Sequence, residues 1–146
     1  MSDNLEKCHE MLKSGEYTLV LFDGKTLLTD AKRGVKPLLD LLDGNEDLSG
    51  FSAADKVVGK AAAFLYVLLN VREIYADVIS SSALSVLEER KIPVQYGALT
   101  DKIKNRAGTG FCPMETAVLG ENSPEKALGK IREKAKELAK NNKTAS

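Results

Sequence analysis

Glu73-Ile-Tyr-Ala-Asp-Val-Ile79-Ser-Ser-Ser-Ala-Leu-Ser-Val-Leu-Glu-Glu89-Arg-Lys-Ile-Pro93-Val-Gln-Tyr-Gly-Ala-Leu99 decides the fold class. Its opening residues, Glu73 to Ile79, alternate as a strand does. The hydroxyls of Ser80 to Ser82 then suit the cap of a helix that runs through Glu89, with Leu84, Val86 and Leu87 as its apolar positions. Pro93 to Leu99 reads as the next strand. A strand, a helix and a strand joined by short links take a right-handed crossover with parallel strands, so the chain is α/β.

Upstream of that unit, Tyr17-Thr-Leu-Val-Leu-Phe22 and Thr26-Leu-Leu-Thr29 flank the turn Asp23-Gly24-Lys25, which predicts a β-hairpin. Asp3 to Ser14 carries a helical stripe of Leu5, Cys8, Met11 and Leu12, and Gly15 stops it. Gly34 to Gly44 reads as a short helix bounded by glycines, and Asn45 to Gly50 as a polar loop. From Ala54 to Leu69 apolar side chains fall on nearly every face, which predicts a central buried helix capped by Ser52 or Asp55.

Downstream, a short helix is expected over Met114 to Leu119, and Ser123-Pro124-Glu125 starts another. Ala127, Leu128, Ile131, Ala135 and Leu138 line one face of that last helix, with fraying expected over Asn141 to Ser146. The expected architecture is one domain over 1–146, a three-layer α/β/α sandwich with a mixed sheet of about five strands begun by the hairpin. An N-terminal helix occupies 1–15 and a C-terminal helix 123–140.

Composition narrows the function classes. The chain has 146 residues with 43% hydrophobic content, and 21 basic residues balance 21 acidic ones. No global field exists to recruit nucleic acid or an anionic membrane, so charge-based recognition must be local. Met1 to Lys7 lacks the pattern of a signal peptide, and the apolar run Ala61 to Leu69 is too short to span a bilayer, so a cytoplasmic protein is expected. Cys8 and Cys112 sit in unrelated contexts and are expected to be reduced thiols. With His9 the single histidine and no CxxC or HxxxH spacing, neither a metal site nor any other cofactor is expected.

Asn105-Arg-Ala-Gly-Thr-Gly-Phe-Cys-Pro-Met-Glu115 looks built to present chemistry. Gly108 and Gly110 permit backbone angles closed to other residues, and Pro113-Met-Glu115 reads as a helix start whose amides would acidify Cys112. Cys112 is a nucleophile on this reading, or a small buried side chain at a helix entrance. Glu115 is a catalytic or positioning group, or a carboxylate satisfying free amides at a helix start. Asn105 and Arg106 are ligand contacts or loop surface.

Lys56 and Lys60 would lie one turn apart on the expected apolar helix, which calls for an anion nearby. Asp55, Glu115 or a C-terminal carbonyl could supply it, and so could a phosphate or carboxylate ligand. Gly59 would fall in mid-helix, where close packing on a sheet accounts for it. Gly59-Lys60 is no phosphate-binding loop, because the spaced earlier glycine and the following Ser or Thr are absent.

The order hairpin, buried helix, strand, capped helix, strand, helix resembles the cytidine-deaminase-like fold. Ala54-Asp-Lys-Val-Val-Gly-Lys-Ala-Ala-Ala63 with Gly110-Phe-Cys-Pro-Met-Glu115 resembles a family of small prokaryotic proteins of unknown function with that fold, over about Tyr17 to Leu119. Zinc deaminases of this fold carry a His or Cys and a Glu at the start of the buried helix, and Pro-Cys-x-x-Cys at the next strand-to-helix turn. Here Val58 and Lys60 stand at the first motif and Ser80 to Ala83 at the second, so zinc-dependent deamination is the least favoured reading. Relatives in the wider fold that have lost zinc bind nucleotide-like ligands or act by other means.

The expected function is a metal-independent pocket for a nucleotide-like or other phosphorylated small molecule. Lys60, Cys112 and Glu115 are its reactive or charge-supplying groups. Asp55, Lys56, Asn105, Arg106, Gly108 and Gly110 are its ligand contacts. The alternative is a non-catalytic domain that docks a protein partner or a second copy of itself.

Overall fold

A computed structural model describes residues 2–32, 34–101 and 113–145, with 141–145 described by their backbone alone. The elements are α1 (Asp3–Lys13), β1 (Leu19–Phe22), β2 (Leu27–Asp30), α2 (Lys36–Asp43), β3 (Ser52–Val58), α3 (Lys60–Leu69), β4 (Glu73–Ser80), α4 (Ser81–Glu89), β5 (Val94–Thr100), α5 (Pro113–Ala117) and α6 (Pro124–Ala145). The five strands form one sheet in the order β2-β1-β3-β4-β5. β1 runs antiparallel to both β2 and β3, while β3, β4 and β5 are parallel. The sheet is therefore mixed, and helices cover both of its faces.

Alternation along β1 separates the two cores. Val20 turns to one face with Ala54 and Tyr75, where Leu5, Cys8 and Leu12 of α1 bury their stripe against them. Leu19 and Leu21 turn to the other face with Ala53, Ile74 and Ala76, beneath Phe64, Leu65 and Leu69 of α3. Around α3 gather α2, α4 and α6, so α3 is the hub of the larger layer. Each buried Leu or Phe there contributes roughly 1.5–3 kcal/mol relative to exposure.

The caps match the residues that form them. Ser80 is buried and its Oγ accepts the Ala83 N–H at 3.2 Å, which starts α4 as its serines imply. Ser2 caps α1 by accepting the Leu5 N–H, and its hydroxyl donates to Glu73. Ser52 donates to the same carboxylate oxygen at 2.6 Å, so Glu73 ties the start of α1 to β3 and β4. The C-terminal helix continues to Ala145, beyond the expected end near residue 140, because 141–145 contain neither proline nor glycine.

One expectation fails. Ala54–Leu69 is not a single helix: Ser52–Val58 is the central strand β3, Gly59 is extended at φ −95° and ψ 179°, and helix begins at Lys60. The run lacks a strand's polar alternation because β3 lies between β1 and β4 with helices above and below. Ser52 and Asp55 cap no helix, Gly59 is an N-cap and not a mid-helix residue, and Lys56 and Lys60 are not helical neighbours.

Cys8 is fully buried, its Sγ lies 3.5 Å from the Ser52 carbonyl, and burial with the nearby Glu73 carboxylate pushes its thiol up to about 11. A thiol so placed is inert at neutral pH. In a Cys112→Ser variant, the native protein should give no reaction with a disulfide reagent at pH 8, and one thiol per chain after denaturation.

Candidate functional site

The three parallel strands end on one edge of the sheet. β3 runs out at Val58 into Gly59 and α3, β4 runs out at Ser80 into α4, and β5 runs out at Thr100. In open α/β sheets this carboxyl edge is where ligands bind. Ser81 reinforces it by donating to the Thr100 carbonyl at 3.3 Å.

Glu115, from α5, occupies the start of α3. Its Oε1 accepts the Lys60 N–H at 2.7 Å and its Oε2 accepts the Ala61 N–H at 3.0 Å. The helix dipole and the free amides of the first turn both favour a carboxylate there. Gly59 makes the approach feasible: a Cβ on it would lie 2.5 Å from Oε1, 2.6 Å from Cδ and 2.8 Å from Oε2. The capping role expected for Glu115 at its own helix is exercised on a different helix. The Lys60 side chain lies beside this cap, half-buried, with Nζ 5.7 Å from the centre of the Phe64 ring.

Asp55 lies farther down β3 on the face that α3 covers. The Tyr66 hydroxyl donates to its Oδ2 at 2.7 Å, and the Val57 N–H donates to Oδ1 at 3.3 Å. Asp55 as a residue is half-buried, yet its carboxyl is withdrawn from water, and that desolvation pushes it up to about 7 against the opposing pull of these hydrogen bonds. Burial and the facing Asp55 carboxyl together push the Tyr66 phenol well above its ordinary range. Neither this pairing nor the reach of Glu115 to α3 follows from the sequence while 52–58 is taken for helix.

Strand alternation turns Lys56 to the opposite face from Asp55, so the two lysines serve different surroundings. Lys56 is anchored through its backbone N–H, which donates to the Thr18 carbonyl at 3.1 Å. Of the sequence-derived site residues, the structure brings together Lys60 and Glu115. Asn105, Arg106, Gly108, Gly110 and Cys112 lie outside the described residues. Among the described residues no group of three His, Cys, Asp or Glu side chains could hold a metal ion, and no helix is long and apolar enough to cross a membrane.

The model of a domain of unknown function, DUF1893 (TM1506), matches residues 7–135. The chain belongs to the DUF1893 family. No curated protein matches it. A DUF1893 family protein from Thermotoga maritima, TM1506, has a crystal structure similar to this fold with a TM-score of 0.85 and 27% identity, covering 92% of each chain. The resemblance to a small family of unknown function is thereby shown, with a prokaryotic neighbour. The mixed five-stranded sheet is compatible with the cytidine-deaminase-like label.

Two predictions follow from the geometry of this DUF1893 chain. Gly59→Ala should lower stability by roughly 1–3 kcal/mol, since the new methyl must displace a carboxylate holding two amides. In a Glu115→Ala background the same substitution should cost less than about 0.5 kcal/mol, and chemical denaturation of the four proteins measures the difference. Asp55 binds its proton more tightly folded than unfolded. Its contribution to stability is therefore full below about pH 4 and lost as pH rises through about 7. The unfolding free energy from chemical denaturation should fall across that window by an amount on the order of 2–4 kcal/mol, and Asp55→Asn should flatten the fall.

Proposed function

We propose that this DUF1893 chain is a metal-independent ligand-binding domain whose site is the carboxyl edge of β3, β4 and β5. Its ligand is a nucleotide-like or other phosphorylated small molecule. The observation that carries the reading is the Glu115 carboxylate seated on the Lys60 and Ala61 amides through the space that Gly59 leaves. It makes the start of α3 a rigid anchor at the edge where α/β folds take ligands, with Lys60 emerging beside it.

In this reading Glu115 is a positioning residue, because its carboxylate is already committed to two amides. Lys60 supplies the positive charge, since among the described residues it enters no salt bridge. The exposed Ser82 at the start of α4 offers a hydroxyl to phosphate oxygens on the same edge. Cys112 and the preceding Asn105, Arg106, Gly108 and Gly110 enter as the residues that lead into α5. The cytidine-deaminase-like resemblance supports a nucleotide-like ligand by analogy alone.

Thermal-shift measurement against nucleoside phosphates and sugar phosphates tests this. A ligand at about ten times its Kd adds roughly 1.4 kcal/mol, which raises the melting temperature by about 3–5 °C for a domain of this size. Lys60→Ala should remove the rise and Lys56→Ala should keep it. Stabilisation by neither ligand class, or an equal rise in Lys60→Ala, overturns the proposal. The second reading, a non-catalytic interaction domain, is favoured by a different observation, the exposure of β5.

A further inference from the structure

β5 stands at the end of the strand order among the described residues. Gln95, Tyr96, Gly97, Ala98 and Leu99 are all exposed, Tyr96 at 42% and Leu99 at 49%. Successive side chains of a strand point to opposite faces, so a consecutive exposed run means that, among the described residues, both faces of β5 are only partly covered. The strand Val94-Gln-Tyr-Gly-Ala-Leu-Thr100 contains no charge and no proline over 7 residues. It therefore lacks the charges and proline that keep an edge strand from pairing with another chain, and among the described residues no further strand pairs with it.

The opposite edge is built differently. β2 has 4 residues and ends on Asp30, with Lys25 before it and Lys32 after it. A short strand set among charges is a protected edge. One open edge and one protected edge allow a single pairing event, which closes as a two-fold dimer and cannot propagate into a filament.

We propose that β5 pairs antiparallel with β5 of a second copy of this chain, about a two-fold axis at Gly97, so that the two sheets become continuous. Gly97 then faces its own equivalent, Tyr96 of each copy faces Ala98 of the other, and Gln95 faces Leu99. Charge selects the occupant. An acidic or basic peptide finds no counter-charge along β5, whereas self-pairing sets no like charges opposite one another, and the balanced net charge leaves two copies without long-range repulsion. Gly97 also suits the centre of the pair: a Cβ there would meet the Asp77 carbonyl at 3.0 Å and the Tyr75 hydroxyl at 3.3 Å, so the strand stays bare at the axis.

This inference is independent of the ligand reading, and it is tested on the full chain by sedimentation equilibrium with circular dichroism as the control for folding. Wild type should be a dimer. Tyr96→Lys with Ala98→Lys places lysine opposite lysine at two pairs and should weaken the dimer by at least about tenfold. Tyr96→Lys with Ala98→Glu places opposite charges at the same pairs and should retain it. A wild-type monomer up to millimolar concentration, or an undiminished dimer in the double-lysine variant, overturns the proposal. Should the double-lysine variant not fold, amide exchange of wild type decides: protection of β5 that rises with concentration supports the pairing, and protection independent of concentration overturns it.

Discussion

The carboxylate of Glu115 on the first amides of α3 is the contact on which the arrangement of the larger helical layer depends. Gly59 caps α3 in backbone conformation only and has no side chain with which to satisfy the amides behind it. Glu115 does so from 55 residues away, across β4, α4 and β5, so a local need of one helix fixes the return of the chain from the sheet. Hydrogen bonds to a charged group contribute about 1.5–3 kcal/mol each, so the two together are of the same order as the roughly 3.5 kcal/mol that closing so long a loop costs. Since α2, α4 and α6 all pack around α3, a shift of its first turn would be felt throughout that layer.

Much of this fold is legible in the sequence, and the exception has a specific cause. The hairpin, the crossover from Glu73 to Leu99 and the helix caps each carry signals within a few residues of themselves. Ser52–Val58 does not. A strand covered on both faces and paired on both sides keeps no polar alternation, and Ala53, Ala54 and Lys56 are residues that favour helices. Gly59 is the punctuation that separates β3 from α3, but a glycine within an apolar run reads equally well as a close-packed helical position. Tertiary context decided between them.

That one ambiguity propagates into the site. With 52–58 read as helix, Lys56 and Lys60 form a pair and Asp55 is a cap. With 52–58 as a strand, Lys56 turns to the other face, and Asp55 meets Tyr66 under the helix that follows it. Glu115 was visible as a residue suited to free amides, because a carboxylate just after a proline is a common helix-start device. Which helix it would serve depends on the path between Thr100 and Pro113, about which local spacing is silent.

β3 and β5 differ in their surroundings more than in their length. Both strands hold 7 residues and both are rich in small and apolar side chains, yet Ala53, Ala54 and Val58 are fully buried while Gln95 to Leu99 are exposed. β3 carries Asp55 and Lys56 and is still mostly covered, because the surrounding sheet and helices supply its burial. In β5 the described chain does not, while the short β2 edge is bordered by the charges that exposure calls for. On the proposed pairing, a second copy of the chain supplies at β5 the burial that β1, β4 and the helices supply at β3.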